Sequence, residues 1–185
     1  VKLDGDNAEL DGQFHGKDLI YGGTGSDTII GNGNDDTIYG EDGDDQITGD
    51  AEGLAEQYHG KDIVYGGKGL DVIWGEGGDD KLFGGEDRDV LIGGADDDLL
   101  DGGSGNDQLD GGEGHDTLTG GSGDDVFLGG AGNDTYIFNF GDQRSSVNDD
   151  SGQTTLDFTT ASLSALKVVQ GDQYPNIVYS IRRTD

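Results

Sequence analysis

An aspartate recurs every nine residues along most of this 185-residue chain, and two residues after each stands an apolar side chain. The aspartates fall at Asp18, Asp27, Asp36 and Asp45, then at Asp62, Asp71, Asp80, Asp89, Asp98, Asp107, Asp116, Asp125 and Asp134. Their apolar followers are Ile20, Ile29, Ile38, Ile47, Val64, Ile73, Leu82, Leu91, Leu100, Leu109, Leu118, Phe127 and Tyr136. A unit of nine residues cannot bury a core by itself, so the units must stack into a quasi-one-dimensional solenoid.

Typical units are "GGTGSDTII" from Gly22, "GGKGLDVIW" from Gly66 and "GGAGNDTYI" from Gly129. A coarser repeat lies on top. "QFHGKDLIYGGTGSDTIIG" from Gln13 returns 44 residues later as "QYHGKDIVYGGKGLDVIWG" from Gln57. Between Asp45 and Asp62 the chain holds one nonapeptide plus eight extra residues, placed at 49–56. A similar stretch, 5–12, precedes the first unit. A block of four nonapeptides with one insertion has been duplicated.

Within a unit, glycines at the first, second and fourth places permit positive φ and close backbone approach. They make a turn of about six residues with carbonyls bent to one side. The last three residues form a short strand whose middle side chain points inward. Two nonapeptides complete one coil, and coils stack at the strand spacing of about 4.8 Å. The expected fold is all-β: a parallel β-roll, or β-solenoid, with one inward apolar column on each sheet.

Stacking places the aspartates of successive turns one above another. At an effective dielectric near 20, each such pair of like charges costs roughly 3 kcal/mol. The whole chain compounds the problem, with 40 acidic against 10 basic residues and a formal net charge of −30. A hard cation shared between turns reverses the sign. Calcium takes 6–8 oxygen ligands, which two carboxylates and the carbonyls of two stacked turns can supply. Magnesium prefers a smaller octahedron and its own waters, and zinc prefers imidazole or thiolate. The expected metal ligands are the thirteen aspartates above with the turn glycines Gly22, Gly25, Gly31, Gly33, Gly40, Gly66, Gly69, Gly75, Gly77, Gly84, Gly93, Gly102, Gly105, Gly111, Gly114, Gly120, Gly123, Gly129 and Gly132. Several Ca2+ ions are therefore the expected cofactors.

The same charge excludes nucleic acid and anionic membrane surfaces as partners, because both would repel it. No apolar run approaches the ~20 residues of a membrane span. With no cysteine, neither a disulfide nor a thiolate metal site is possible. The chain starts at Val1 without a signal-peptide pattern and reads as a piece of something longer.

The units fit G-G-x-G-x-D-x-U-x, and from Gln13 to Ile137 the chain resembles the RTX (repeats-in-toxin) calcium-binding nonapeptide-repeat family. The resemblance implies ions held between same-edge turns eighteen residues apart, pairing Asp18 with Asp36, Asp27 with Asp45, Asp62 with Asp80 and onward to Asp116 with Asp134. It implies room for about ten ions at the weak, extracellular end of calcium affinity. It further implies a secreted bacterial protein, a toxin or adhesin for instance, exported by a type I secretion system and folding on calcium outside the cell. An alternative is a ligand-binding segment of an adhesin.

Some positions depart from the pattern. Asn34, Asp87 and Asp96 stand at fourth places, where Asn and Asp tolerate left-handed backbone. Asp6 and Asp50 in the insertions are candidates to complete the turns opened by Gln13 and Gln57. His15 and His59 have no third partner for zinc, which favours packed or exposed turn residues; His115 reads as a solvated turn residue. By parity Tyr21, Tyr39, Tyr65 and Phe83 share one outward face, and Ile30, Trp74 and Ile92 another. Side-by-side packing on a flat sheet is favoured over a docking surface. From Asp101 onward these outward places turn polar. Residues 1–137 thus form the roll and 138–185 a C-terminal capping segment, with strands expected at Thr155 to Phe158, Leu166 to Val169 and Ile177 to Ile181 and a turn at Gln170 to Asn176. No HExxH or GxSxG motif is present, so no enzyme is expected in this stretch.

Overall fold

The computed structural model describes residues 16–139, 145–149 and 152–157, together with the backbone of strands at 2–4, 9–11 and 177–180. Strands β1 to β17, numbered in chain order, alternate between two sheets, β18 follows β17 in the first sheet, and every pairing is parallel. The first sheet runs β1 (Lys2–Asp4), β3 (Leu19–Thr24), β5 (Thr37–Asp42), β7 (Ile63–Lys68), β9 (Lys81–Glu86), β11 (Leu99–Ser104), β13 (Thr117–Ser122), β15 (Thr135–Ile137), β17 (Thr154–Asp157) and β18 (Ile177–Ser180). The second runs β2 (Glu9–Asp11), β4 (Thr28–Asn32), β6 (Gln46–Asp50), β8 (Val72–Gly77), β10 (Val90–Ala95), β12 (Gln108–Glu113), β14 (Val126–Ala131) and β16 (Ser146–Asn148). One strand from each sheet makes a coil, and the chain is a parallel β-roll.

The thirteen apolar followers form two facing columns and are all fully buried. In register, Ile38 lies beside Val64, Val64 beside Leu82 and Leu82 beside Leu100 on the first sheet. On the second, Ile47 lies beside Ile73, Ile73 beside Leu91 and Leu91 beside Leu109. Each such side chain contributes about 1.5–3 kcal/mol on burial.

Most strands are longer than three residues. β9, for example, spans the last three places of one unit and the first three of the next. Only the fourth to sixth places are left for the turn, because the backbone keeps pairing with the coils on either side until the fourth-place residue turns it. Positive φ is confined to the second and fourth places in the repeats, as at Gly103 (95°) and Gly105 (155°), and does not occur at the first-place glycines. Asn34, Asp87 and Asp96 do hold left-handed backbone, at 67°, 77° and 78°.

The roll is one continuous solenoid across the interruption. β5 pairs with β7 and β6 with β8, so the two blocks share their columns. β6 runs through Gly49 and Asp50, which moves the extra residues from 49–56 to 51–58. They form a loop with a short 3-10 turn at Glu56–Tyr58. The stretch 5–12 is not a loop throughout: Glu9–Asp11 pairs with β4 and covers the sheet edge that would otherwise stay open.

The described strands of the C-terminal segment likewise extend the roll. β16 pairs with β14 and β17 with β15, and Phe138, Val147 and Leu156 prolong the core. The expected strand at Thr155 to Phe158 is found at Thr154–Asp157, and that at Ile177 to Ile181 at Ile177–Ser180. Leu166 to Val169, the turn at Gln170 to Asn176, Asp6 and His15 lie outside the described residues.

On the outer face of the first sheet Tyr21, Tyr39, Tyr65 and Phe83 stack with centroids 4.8–5.0 Å apart and planes within 10°. All four rings are half-buried against one another. Asp101 ends that row beside Phe83. The outward places after it do not stay polar, since Leu128 and Ile137 occupy two of them.

Candidate metal centre

Each sixth-place aspartate sits at the end of a turn, just before a strand, and its backbone N–H points along the solenoid axis. In eleven of the thirteen, that N–H donates to Oδ1 of the same-edge aspartate in the following coil. The steps on one edge run Asp18 to Asp36 (2.7 Å), Asp36 to Asp62, Asp62 to Asp80, Asp80 to Asp98 (each 2.8 Å), Asp98 to Asp116 (2.9 Å) and Asp116 to Asp134 (3.0 Å). On the other edge they run Asp27 to Asp45 (2.8 Å), Asp45 to Asp71, Asp71 to Asp89, Asp89 to Asp107 (each 2.9 Å) and Asp107 to Asp125 (3.1 Å). The pairing at eighteen residues is present, and the steps from Asp36 to Asp62 and from Asp45 to Asp71 carry both columns across the insertion.

Satisfying Oδ1 leaves Oδ2. All thirteen aspartates are buried. In twelve of them, every one except Asp125, Oδ2 is buried without a hydrogen-bond partner. Such oxygens are costly to leave unpaired. Burial, more than any other cause, raises these carboxyls: Asp36, Asp89 and Asp98 to about 8, Asp62 and Asp71 to about 7, Asp80 to about 9, Asp107 and Asp116 to about 6. The N–H donated to Oδ1 opposes the rise, and neighbouring aspartates add to it.

The first-place glycine makes room for that oxygen. A Cβ on Gly22 would lie 2.8 Å from Asp27 Oδ2 and 2.6 Å from the carbonyl oxygen of Gly40 in the next coil. Gly102 has the same surroundings, 2.5 Å from Asp107 Oδ2 and 2.7 Å from Gly120 O. Each carboxylate thus projects into a slot that only glycine leaves open, beside a carbonyl of the adjoining coil. At fourth places, a side chain on Gly43 or Gly105 would strike the carbonyl of Gly25 or Asp87 in the coil before. Gly43 and Gly78 fill this fourth-place role (φ 154° and 99°) and were not singled out in the sequence. Gly33 and Gly77 were, yet both are third-place residues outside the left-handed region. They are the only third-place glycines, and they flank the insertion. The loop lies over them: His59 packs its ring on Gly77, and Asn34 N–H donates to Tyr58 O at 2.9 Å.

An outer ladder runs the opposite way. Fifth-place side chains accept the N–H of the following coil, as in His115 N–H to Asp97 Oδ1 (2.8 Å), Asp124 N–H to Asn106 Oδ1 (2.9 Å) and Leu70 N–H to Asp44 Oδ1 (2.9 Å). His115 is part of it: its Nδ1 accepts from Asn133 N–H at 2.9 Å, so this exposed ring does more than face solvent. Lys17–Asp35 and Lys61–Asp79 are ion pairs on the same surface; their exposure makes them worth little.

The columns end on hydroxyls. Ser145 Oγ accepts Asp125 N–H at 3.2 Å and donates to Asp125 Oδ2 at 3.3 Å, which is why Asp125 is the exception above. On the other edge Thr154 takes the sixth place and donates to Asp149.

These features fit a hard divalent cation. The oxygens available as ligands are carboxylate and carbonyl only, and the orphaned Oδ2 atoms have no protein donor to satisfy them. Among the described residues no three carboxylate or imidazole side chains converge, so backbone carbonyls must complete any shell. That combination selects calcium over zinc. When bound, the ion supplies the positive charge that lets neighbouring carboxylates stay ionised together.

Fold and site together define a calcium-binding β-solenoid. The family described as RTX calcium-binding nonapeptide repeat (four copies) matches residues 16–51, 60–91, 83–118 and 110–142, and the chain belongs to it. The match passes over most of the insertion loop. A search of curated proteins found no match to the chain.

Proposed function

We propose that this stretch is a calcium-triggered folding module: unfolded while calcium is scarce, and folded once the chain reaches a calcium-rich exterior. The twelve buried Oδ2 atoms without partners carry this reading. Ionised, they oppose the stacking of coils; bridged by calcium, they favour it. An export route that needs an unfolded chain, such as a bacterial type I channel, suits such a switch. So does the absence of cysteine, since no disulfide could lock the chain early. Its part in the parent protein is then structural rather than catalytic.

Folding would proceed from the C-terminal end. Eleven of the thirteen sixth-place N–H groups are satisfied by the carboxylate of the coil that follows, so a coil docks best on one already formed beyond it. The aromatic row gives a ligand-binding role weaker support, because its rings spend their faces on each other.

Circular dichroism of metal-stripped protein during a calcium titration tests the proposal. A cooperative gain of β-structure with calcium, and none with equimolar magnesium, is expected. Full β-structure at neutral pH in chelator would refute it.

A further inference from the structure

The aromatic row on the outer face of the first sheet is not used by the metal centre, yet its geometry carries chemistry of its own. Tyr21, Tyr39 and Tyr65 hold the ninth places of successive coils, and parallel pairing sets them side by side. The rings of Tyr21 and Tyr39 have centroids 5.0 Å apart and planes at 9°; for Tyr39 and Tyr65 the values are 4.9 Å and 5°. Phe83 ends the row with a ring that carries no hydroxyl. Trp74, on the other sheet, has Thr48 and Ile92 beside it rather than another ring.

Composition directs oxidation to these phenols. Cysteine and methionine commonly take up oxidising equivalents in proteins, and this chain has neither. Seven tyrosines and one tryptophan remain. Tyr136 is sealed in the core, where its ring meets Phe127. Tyr58 lies exposed on the insertion loop. Among the described residues, only the outer row stacks one phenol on another.

Taking one electron and one proton from each of two phenols leaves two tyrosyl radicals. When the radicals are held together, an ortho carbon of one ring bonds to an ortho carbon of the other. The hydrogen on each bonded carbon then moves to oxygen and both rings regain aromaticity. The product, dityrosine, is two hydrogen atoms lighter than the pair. Hydrogen peroxide, consumed through a peroxidase, carries those atoms away as two molecules of water. Side chains on an outer face can tilt about χ1 and χ2 to close the remaining gap, a freedom that a packed core denies. Holding the two rings side by side also favours their coupling over encounters between molecules.

We propose that Tyr21, Tyr39 and Tyr65 form an oxidative cross-linking site, at which dityrosine bonds stitch successive coils together once the roll has folded. Tyr39 is the shared partner. A Tyr39–Tyr65 bond bridges the insertion and joins the two duplicated blocks, and a Tyr21–Tyr39 bond lies within the first. Each bond restrains the unfolded chain, as a disulfide does, so the stitched roll refolds at lower calcium. The cross-link rests on the geometry of the roll; its dependence on calcium rests on the triggered folding proposed above.

Hydrogen peroxide with a peroxidase, applied to the dilute calcium-loaded full chain, tests this. Mass spectrometry of the digested monomer is expected to find Tyr21 joined to Tyr39 and Tyr39 joined to Tyr65. Tyr39→Phe keeps every ring in the row but parts the remaining phenols; it is expected to lose both links and the dityrosine fluorescence. Tyr65→Phe should keep the Tyr21–Tyr39 link, and Tyr58→Phe should keep both. After oxidation, the unaltered chain should regain β-structure at lower calcium than the oxidised Tyr39→Phe chain. Absence of both links from the calcium-loaded chain, coupling through Tyr58 in their place, or undiminished dityrosine fluorescence in Tyr39→Phe would overturn the proposal. So would equal yields of the two links from an unfolded chain in chelator. The same links from a metal-free chain that circular dichroism shows to be folded would uphold the cross-link and strike at calcium-triggered folding instead.

Discussion

Removing calcium should make the stability of the roll depend steeply on pH, with acid as the stabilising direction. Asp62, Asp80 and Asp98 carry folded-state values of about 7, 9 and 8, against 3.8 for an ordinary aspartate. A raised value means that the folded chain binds the proton more tightly than the unfolded one. Its stabilising effect is full below about 3.8 and is lost as pH climbs through 7 to 9. At pH 7 the unfolded chain holds all three ionised. Protonating each to fold costs about 4 kcal/mol, from roughly three pH units at 1.36 kcal/mol each. Three such groups alone match the whole stability of an ordinary domain, ~5–15 kcal/mol. Metal-stripped protein, followed by far-ultraviolet circular dichroism, should therefore hold β-structure at about pH 5 and lose it by about pH 8. Calcium should flatten the profile. High sodium chloride at the alkaline end should not restore the fold, since salt screens exposed charges and barely reaches buried ones. A metal-free roll equally stable at both ends of the range would refute the reasoning.

Gly102→Ala should displace the Asp107 carboxylate without straining the backbone, costing about 1–3 kcal/mol and weakening calcium binding; Gly53→Ala, at φ 76° in the open part of the insertion loop, should strain its backbone yet spare the ions. Calorimetry of the two variants separates the causes. Asp107→Ala removes an orphaned oxygen and the acceptor for Asp89 N–H, so it should weaken two neighbouring sites and lower the cooperativity of a calcium titration. Leu109→Asp buries a charge between Leu91 and Phe127 and should disrupt the roll locally even in saturating calcium, seen as lost amide protection in hydrogen exchange around β12.

The two columns were legible because aspartate and the apolar follower keep their places in all thirteen units, and a strand's alternation fixes which of them points inward. The left-handed turns at Asn34, Asp87 and Asp96 were legible for a similar reason, since few residue types tolerate that backbone. The first-place glycines were harder. Glycine is commonly read as a demand for positive φ, whereas Gly22 and Gly102 are required by an oxygen five residues further on. Continuity across the insertion was hidden as well, because spacing along the chain does not reveal that Asp36 and Asp62 meet. The C-terminal extension escaped because parallel pairing needs only a backbone and an inward apolar residue. Val147 and Leu156 supply that without any glycine rhythm, and Ser145 and Thr154 end the aspartate columns without any motif.

The strands lie crosswise to the long axis, and coils are joined edge to edge by ladders eighteen residues apart, with twenty-six across the loop. Drawn from its two ends, such a molecule would unspool rather than slide. Each rupture would release one winding, about 60 Å of slack at 3.3–3.6 Å per residue. A single-molecule pulling trace would show an even sawtooth broken by one longer tooth, a ruler whose one irregular mark locates the insertion.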